Sequence, residues 1–113
     1  MLRQALKYKQ RERFRQAERL IQKALRLKPA NPVPFYSALG QVLYEREKIK
    51  DAERYLLRAY RRSPRQTGAG LVTLGSIYYE KGSKSRARKI YRQYIKYFPR
   101  GKHVQDVRAM LKN

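Results

Sequence analysis

Few residues in this chain could do acid, base, nucleophilic or metal chemistry. It has one histidine, His103, no cysteine, and eight acidic residues, of which only Asp51 and Asp106 are aspartates. Without cysteine there is no disulfide framework and no thiolate metal site, and no spacing of His, Asp and Glu suits a metal ion. His103 stands alone at the start of the last segment, where a surface imidazole is expected. Glu45 and Glu80 lie 35 residues apart, and paired carboxylates can serve acid–base catalysis. Among so many Lys and Arg, however, solvated salt bridging is the expected use. Gly68-Ala69-Gly70 lacks both the lysine and the preceding strand of a phosphate loop and reads as a turn leading into a helix. No catalytic residue, metal or cofactor is expected. What remains is binding chemistry, carried by tyrosines and by positive charge.

The charge is extreme. Lys and Arg number 29 against 8 Asp and Glu, a formal net charge of +21 over 113 residues. Such a balance repels itself in the compact state and attracts polyanions, so the classes of partner it admits are nucleic acid, acidic protein segments, and anionic membrane or envelope surfaces. The basic start, Met1 to Lys9, has no apolar stretch after it and does not read as a secretory signal. No run approaches the ~18 apolar residues of a membrane span. The default expectation from this is a cytoplasmic chain without membrane insertion.

The elements that position these residues follow from a repeat. Pro29, Pro64 and Pro99 are 35 residues apart, as are Ala17, Ala52 and Ala87. The same spacing relates Ala5, Gly40 and Gly75, then Tyr8, Leu43 and Tyr78, then Ile21, Leu56 and Tyr91, and then Ala24, Ala59 and Tyr94. Within each period the apolar and small residues recur at helical spacing, which predicts paired helices over 33–46 and 49–62, and over 68–81 and 84–97. A first pair is expected over 1–10 and 14–27. A last helix over 102–112 would present Val104, Val107 and Leu111 on one face. Gly82-Ser83 suits a helix end followed by a hydroxyl cap, and Asn31-Pro32 suits a cap with proline in the first turn. Each periodic proline closes a second helix, since the residue before proline avoids helical geometry.

The pattern Leu39-Gly40, Leu43-Tyr44, Ala52, Leu56, Ala59, Pro64, with its echo Leu74-Gly75, Tyr78, Ala87, Tyr91, Pro99, resembles the tetratricopeptide repeat over essentially the whole chain. The period is 35 rather than the usual ~34. Tyr36 and Leu71 stand at the tryptophan-like position, and Tyr94 replaces a small residue. The resemblance implies an all-α fold, a right-handed α-α superhelix of about seven helices. It would be one domain, 1–113, divided into repeat 1 (1–32), repeat 2 (33–67), repeat 3 (68–102) and a capping helix (102–113). Small residues at 5, 40 and 75 and alanine at 17, 52 and 87 would let helix backbones approach closely. A larger side chain there would overpack by about 1–3 kcal/mol.

The resemblance also implies that first helices line a concave groove and second helices face outward. The groove would present Ser37, Ala38, Gln41, Tyr44 and Glu45, then Val72, Thr73, Ser76, Tyr79 and Glu80, with Leu2, Leu6 and Lys9 from the first repeat. Ser37, Gln41, Tyr44, Val72, Ser76 and Tyr79 are its candidate contact residues. The Lys, Arg and Asn clamp that some members use for a peptide carboxylate has no counterpart at Ser37, Gln41, Ala69 and Thr73. The outer face would carry a basic ladder: Arg19, Arg54 and Lys89 at one repeat position, Arg26, Arg61 and Lys96 at another, Lys23 and Arg58 at a third. Two functions are therefore expected in competition. One is a protein-interaction scaffold holding a peptide or partner helix in the groove. The other is polyanion binding by the ladder, through backbone phosphates without base readout if the ligand is nucleic acid. A contact with an anionic envelope surface would rest on charge alone.

Overall fold

The computed structural model describes residues 2–112, with side chains from residue 10 onward. The elements in chain order are α1 (Leu2–Arg26), α2 (Val33–Glu45), α3 (Ile49–Arg62), α4 (Pro64–Thr67), α5 (Gly70–Glu80), α6 (Lys84–Tyr97) and α7 (Val104–Lys112). The architecture is all-α. α2 pairs with α3 and α5 with α6 as two helical hairpins, α5 packs back on α2 and α3, α1 packs on α2, and α7 packs on α6.

The periodic residues do the packing. Leu39, Leu43, Leu56, Leu71, Leu74, Ile77 and Tyr91 are almost fully buried, with Ala52, Ala59 and Ala87 at the close contacts. A Cβ on Gly40 would collide with the Leu56 side chain, and one on Gly75 with the Tyr91 ring. Glycine thus lets the first helix of each hairpin settle against the bulky residue of the second. Val104 and Val107 of α7 are buried against α6. His103 is half-buried at the surface: its ring lies 6.1 Å from that of Tyr94, and its backbone N–H donates to the Tyr94 hydroxyl at 3.2 Å.

The hairpins match the expected helices closely; the first pair does not. No turn separates residues 1–10 from 14–27, and α1 is a single helix of 25 residues. Seven helices are present among the described residues, but one is the single turn Pro64–Thr67, so the number expected arises from a different division. The physical reason lies at one repeat position. Glu47 and Gly82 end α2 and α5 with φ of 63° and 85°. Both turns close with the same backbone bonds, Lys48 N–H to the Leu43 carbonyl and Ser83 N–H to the Tyr78 carbonyl, each 2.9 Å. Glu12 holds that position in the first repeat. Arg11-Glu12-Arg13 differs from Arg46-Glu47-Lys48 by one basic residue, so local propensity does not separate them; the α2 turn is held by Glu18 on Arg46 and Lys48, while the first-repeat segment stays helical.

Two capping expectations are also adjusted. Ser83 precedes α6 without a side-chain cap bond. The hydroxyl cap is found instead at Ser63, whose Oγ accepts from Gln66 N–H at 3.2 Å. Asn31 Oδ1 accepts from Val33 N–H at 3.4 Å, a weak bond, and Pro32 is itself the residue preceding α2.

Candidate functional site

Two surfaces meet the expectations of the sequence, and each differs from them in detail. On the face formed by α2 and α5, Ser37 is buried at 4% exposure, and its hydroxyl donates to the Thr67 carbonyl at 2.5 Å. Gln41 Nε2 donates to the Ser37 carbonyl and Oγ, both at 3.3 Å. Ser76 Oγ and the Tyr91 hydroxyl lie 3.2 Å apart. The two serines therefore direct their hydroxyls into the structure. Val72, Tyr44 and Tyr79 are half-buried against the core.

Tyr44 links the two hairpins. Its hydroxyl donates to Glu80 Oε1 at 2.5 Å. The hydrogen bond to a carboxylate, helped by burial and by the charges of Glu80 and Glu45, pushes the phenol up to about 12. Among the described residues Glu80 is thus engaged by a tyrosine. Tyr79, 35 residues on from Tyr44, lies under Lys84 Nζ at 5.9 Å.

Beside this row opens a cavity of about 480 Å³ whose walls include Phe14, Ala38, Gln41, Val42, Glu45 and Thr73. A second, of about 510 Å³, continues from Phe14 towards Arg15, Glu45 and Glu47. Phe14 and Val42 were absent from the expected groove. The signal for Phe14 was available: it precedes Ala17 and Ile21 on one helical stripe. The expected groove residues Leu2, Leu6 and Lys9 lie outside the described side chains.

The outer face is basic as expected. Arg19, Lys23, Arg26, Arg54, Arg58, Arg61, Lys89 and Lys96 are all exposed. Among the described residues the ion pair made by this set is Arg54 with Asp51, at 3.1 Å. The ladder is not uniform, however, because aromatic rings interrupt it. Tyr36 and Tyr55 stack with centroids 6.1 Å apart. Arg54 and Arg58 lie 5.3 and 5.6 Å from the Tyr55 centroid, and Arg58 and Arg62 lie 5.8 and 5.9 Å from that of Tyr36. This cluster borders a cavity of about 400 Å³ shared with Gln22, Leu25 and Arg26 of α1. Tyr55 was hidden in the sequence by its charged neighbours, and Tyr36 reads there only as a packing residue.

A further regular feature links the repeats. Glu18, at 7% exposure, pairs with Arg46 and, at 3.4 Å, with Lys48. Glu53 pairs with Lys81 at 2.5 Å. Glu18 to Arg46 and Glu53 to Lys81 both span 28 residues. Each clasp joins a second helix to the turn of the following hairpin.

Paired helices in 35-residue register, with small residues at the contacts, define a helical-repeat protein. The tetratricopeptide repeat profile matches residues 2–67 and again 37–101. The chain belongs to the tetratricopeptide repeat family, whose members typically act as non-catalytic scaffolds that bind other proteins. No curated protein matches the chain. Among the described residues no helix is long and apolar enough to cross a membrane.

Proposed function

We propose that this chain is a non-catalytic interaction module that holds a peptide or a partner helix along α2 and α5. In this reading residues 33–67 and 68–102 are complete repeats, 1–32 supplies an incomplete first one, and 102–113 caps the stack. The observation that carries it is the cavity of about 480 Å³ between Phe14, Gln41, Val42 and Thr73, concave and mixed in polarity. Tyr44 and Tyr79, half-buried on the same two helices, would add contact area with little side-chain entropy to lose. The test is photo-crosslinking from benzoylphenylalanine placed at Gln41 or Thr73, against the same group at Arg61, in native extract at high salt. Partner adducts confined to the groove positions are expected. Adducts arising equally from Arg61 overturn the reading.

A second reading, polyanion binding by the outer face, is favoured by the Tyr36–Tyr55 stack between Arg54, Arg58 and Arg62. Rings interleaved with guanidinium groups suit unpaired bases as well as phosphates. Anisotropy of a labelled single-stranded oligonucleotide should then fall steeply with salt, and Arg19→Glu, Arg54→Glu and Arg58→Glu together should abolish it. Unchanged binding by that triple variant would sink this reading.

A further inference from the structure

α2 is covered by α5 on one flank and only partly by α1 on the other. Val42 and Ile77 are equivalent by the 35-residue period, yet Ile77 is 0% exposed while Val42 is half-buried and lines open space with Phe14. Phe35 and Gly70 stand in the same relation, half-buried against buried. Ile77 and Gly70 are covered because α2 and α3 lie beside α5. The flank of α2 lacks the helix that would do the same for it, the first helix of repeat 1.

The period says which residues that helix contains. Ala5 aligns with Gly40 and Gly75, and Tyr8 with Leu43 and Tyr78. Gly40 meets Leu56 and Gly75 meets Tyr91, so Ala5 is matched to Ile21. In α1 as it stands the two cannot meet, because a continuous helix holds them roughly 24 Å apart along its axis. Folding back within the chain would break α1 at Arg11-Glu12-Arg13, a segment like Arg46-Glu47-Lys48, whose turn is held by Glu18 on Arg46 and Lys48. With a second copy no break is needed: α1 stays continuous, as it is in the structure, and the open flank is still covered.

We propose that two copies of this chain exchange residues 2–10, each laying that segment into the open flank of the other between Phe14 and Val42; this rests on the groove reading and names a second copy of the chain as the occupant of the same cavity. Such an exchange reproduces in two chains the contacts a closed repeat would make in one. Lys48 and Ser83 begin the second helices of the other repeats, and both map onto Arg13. The two α1 helices therefore run antiparallel and cross near Arg13, with Ala5 of each beside Ile21 of the other. Charge does not select the segment: it brings Arg3, Lys7 and Lys9, and the receiving space is bordered by Glu45 and Glu47 but also by Arg11, Arg15 and Arg46, so the repeat register and the open apolar flank carry the pairing. The net charge of +21 per chain opposes pairing, so the dimer strengthens with salt, opposite to polyanion binding.

Two measurements test this. Light scattering on the unaltered chain at rising concentration, in about 0.5 M salt to screen the repulsion, should show twice the 13.5 kDa monomer. Ala5→Cys with Ile21→Cys, in a chain with no other cysteine, should give a disulfide-linked dimer on a non-reducing gel. A monomer whose two cysteines join within one chain means that the segment folds back, which overturns the exchange. A monomer without a disulfide, or a dimer that does not cross-link, overturns it equally. Ala5→Glu alters only the exchanged segment and should return the chain to monomer with the hairpins' helicity kept, covering the case in which the cysteine variant folds poorly. Crosslinking of a partner from Thr73 in that monomer would leave the groove reading standing on its own.

Discussion

The flank of α2 and the flank of α5 are built from equivalent residues and end up differently. Beside α5 a complete hairpin excludes water from Ile77; beside α2 a single helix leaves Val42 half-open. In a stack where each repeat touches only its neighbours, burial at a given position reports what the next element supplies rather than what the residue is. The same holds for the clasps. Glu18 and Glu53 occupy one repeat position, but the Glu18 side chain is 9% exposed and the Glu53 side chain 19%, and their partners Arg46 and Lys81 are 22% and 45% exposed.

The sharpest way to break that comparison is to truncate both apolar residues. Ile77→Ala removes a fully buried side chain and should cost about 2–5 kcal/mol in urea unfolding. Val42→Ala should cost less than about 1.5 kcal/mol at low protein concentration, since much of that side chain already meets water. If copies exchange α1 segments, the Val42→Ala cost grows with concentration while the Ile77→Ala cost does not. Equal costs at every concentration would show that the two flanks are packed alike.

The clasps come next. Glu18→Gln leaves the Arg46 guanidinium without its carboxylate in a largely buried place and should cost about 1–3 kcal/mol. Glu53→Gln disturbs a pair whose lysine is well solvated and should cost under about 1 kcal/mol. Thermal melts of the two variants side by side decide this, and a larger loss for Glu53→Gln would contradict the burial difference.

The smallest effect concerns Tyr44. Its phenol is raised from 10.0 to about 12, chiefly by donating to Glu80. The folded state therefore favours the protonated form. That contribution is complete below pH 10 and is lost as pH rises through about 12. Stability of the unaltered chain should decline over that interval more steeply than that of Tyr44→Phe. A parallel decline in both would show that the Tyr44–Glu80 bond does not survive in solution.

Much of the hairpin architecture was legible from the residues. The 35-residue spacing locates α2, α3 and α6 to within a residue because alanine, glycine and the bulky apolar residues serve packing directly. The spacing fails at Arg11-Glu12-Arg13, which differs by one basic residue from Arg46-Glu47-Lys48. One segment is helix and the other a turn, so tertiary neighbours decide between them; Glu18 holds Arg46 and Lys48, and nothing in the local residues announces it. The groove was legible as a face but not in its hydroxyls. Ser37 and Ser76 look like contact residues in a sequence, and both bond inward to groups distant in the chain. On the outer face the charges were plain while the Tyr36–Tyr55 stack was not, because it joins α2 to α3 across 19 residues.

The clasps also bear on how stiffly the stack holds its curvature. Glu18 and Glu53 each act as a strut across one joint, from a second helix to the following turn, so they resist rotation of one hairpin on the next. The series changes sign at its third position, where Arg88 stands exposed. The joint between α6 and α7 is set instead by Val104, Val107 and the Tyr94 hydroxyl bond to His103. The solenoid is accordingly braced by ion pairs at its first two joints and by packing at its third. Under load or in strong salt the first two should yield in bend before the third does.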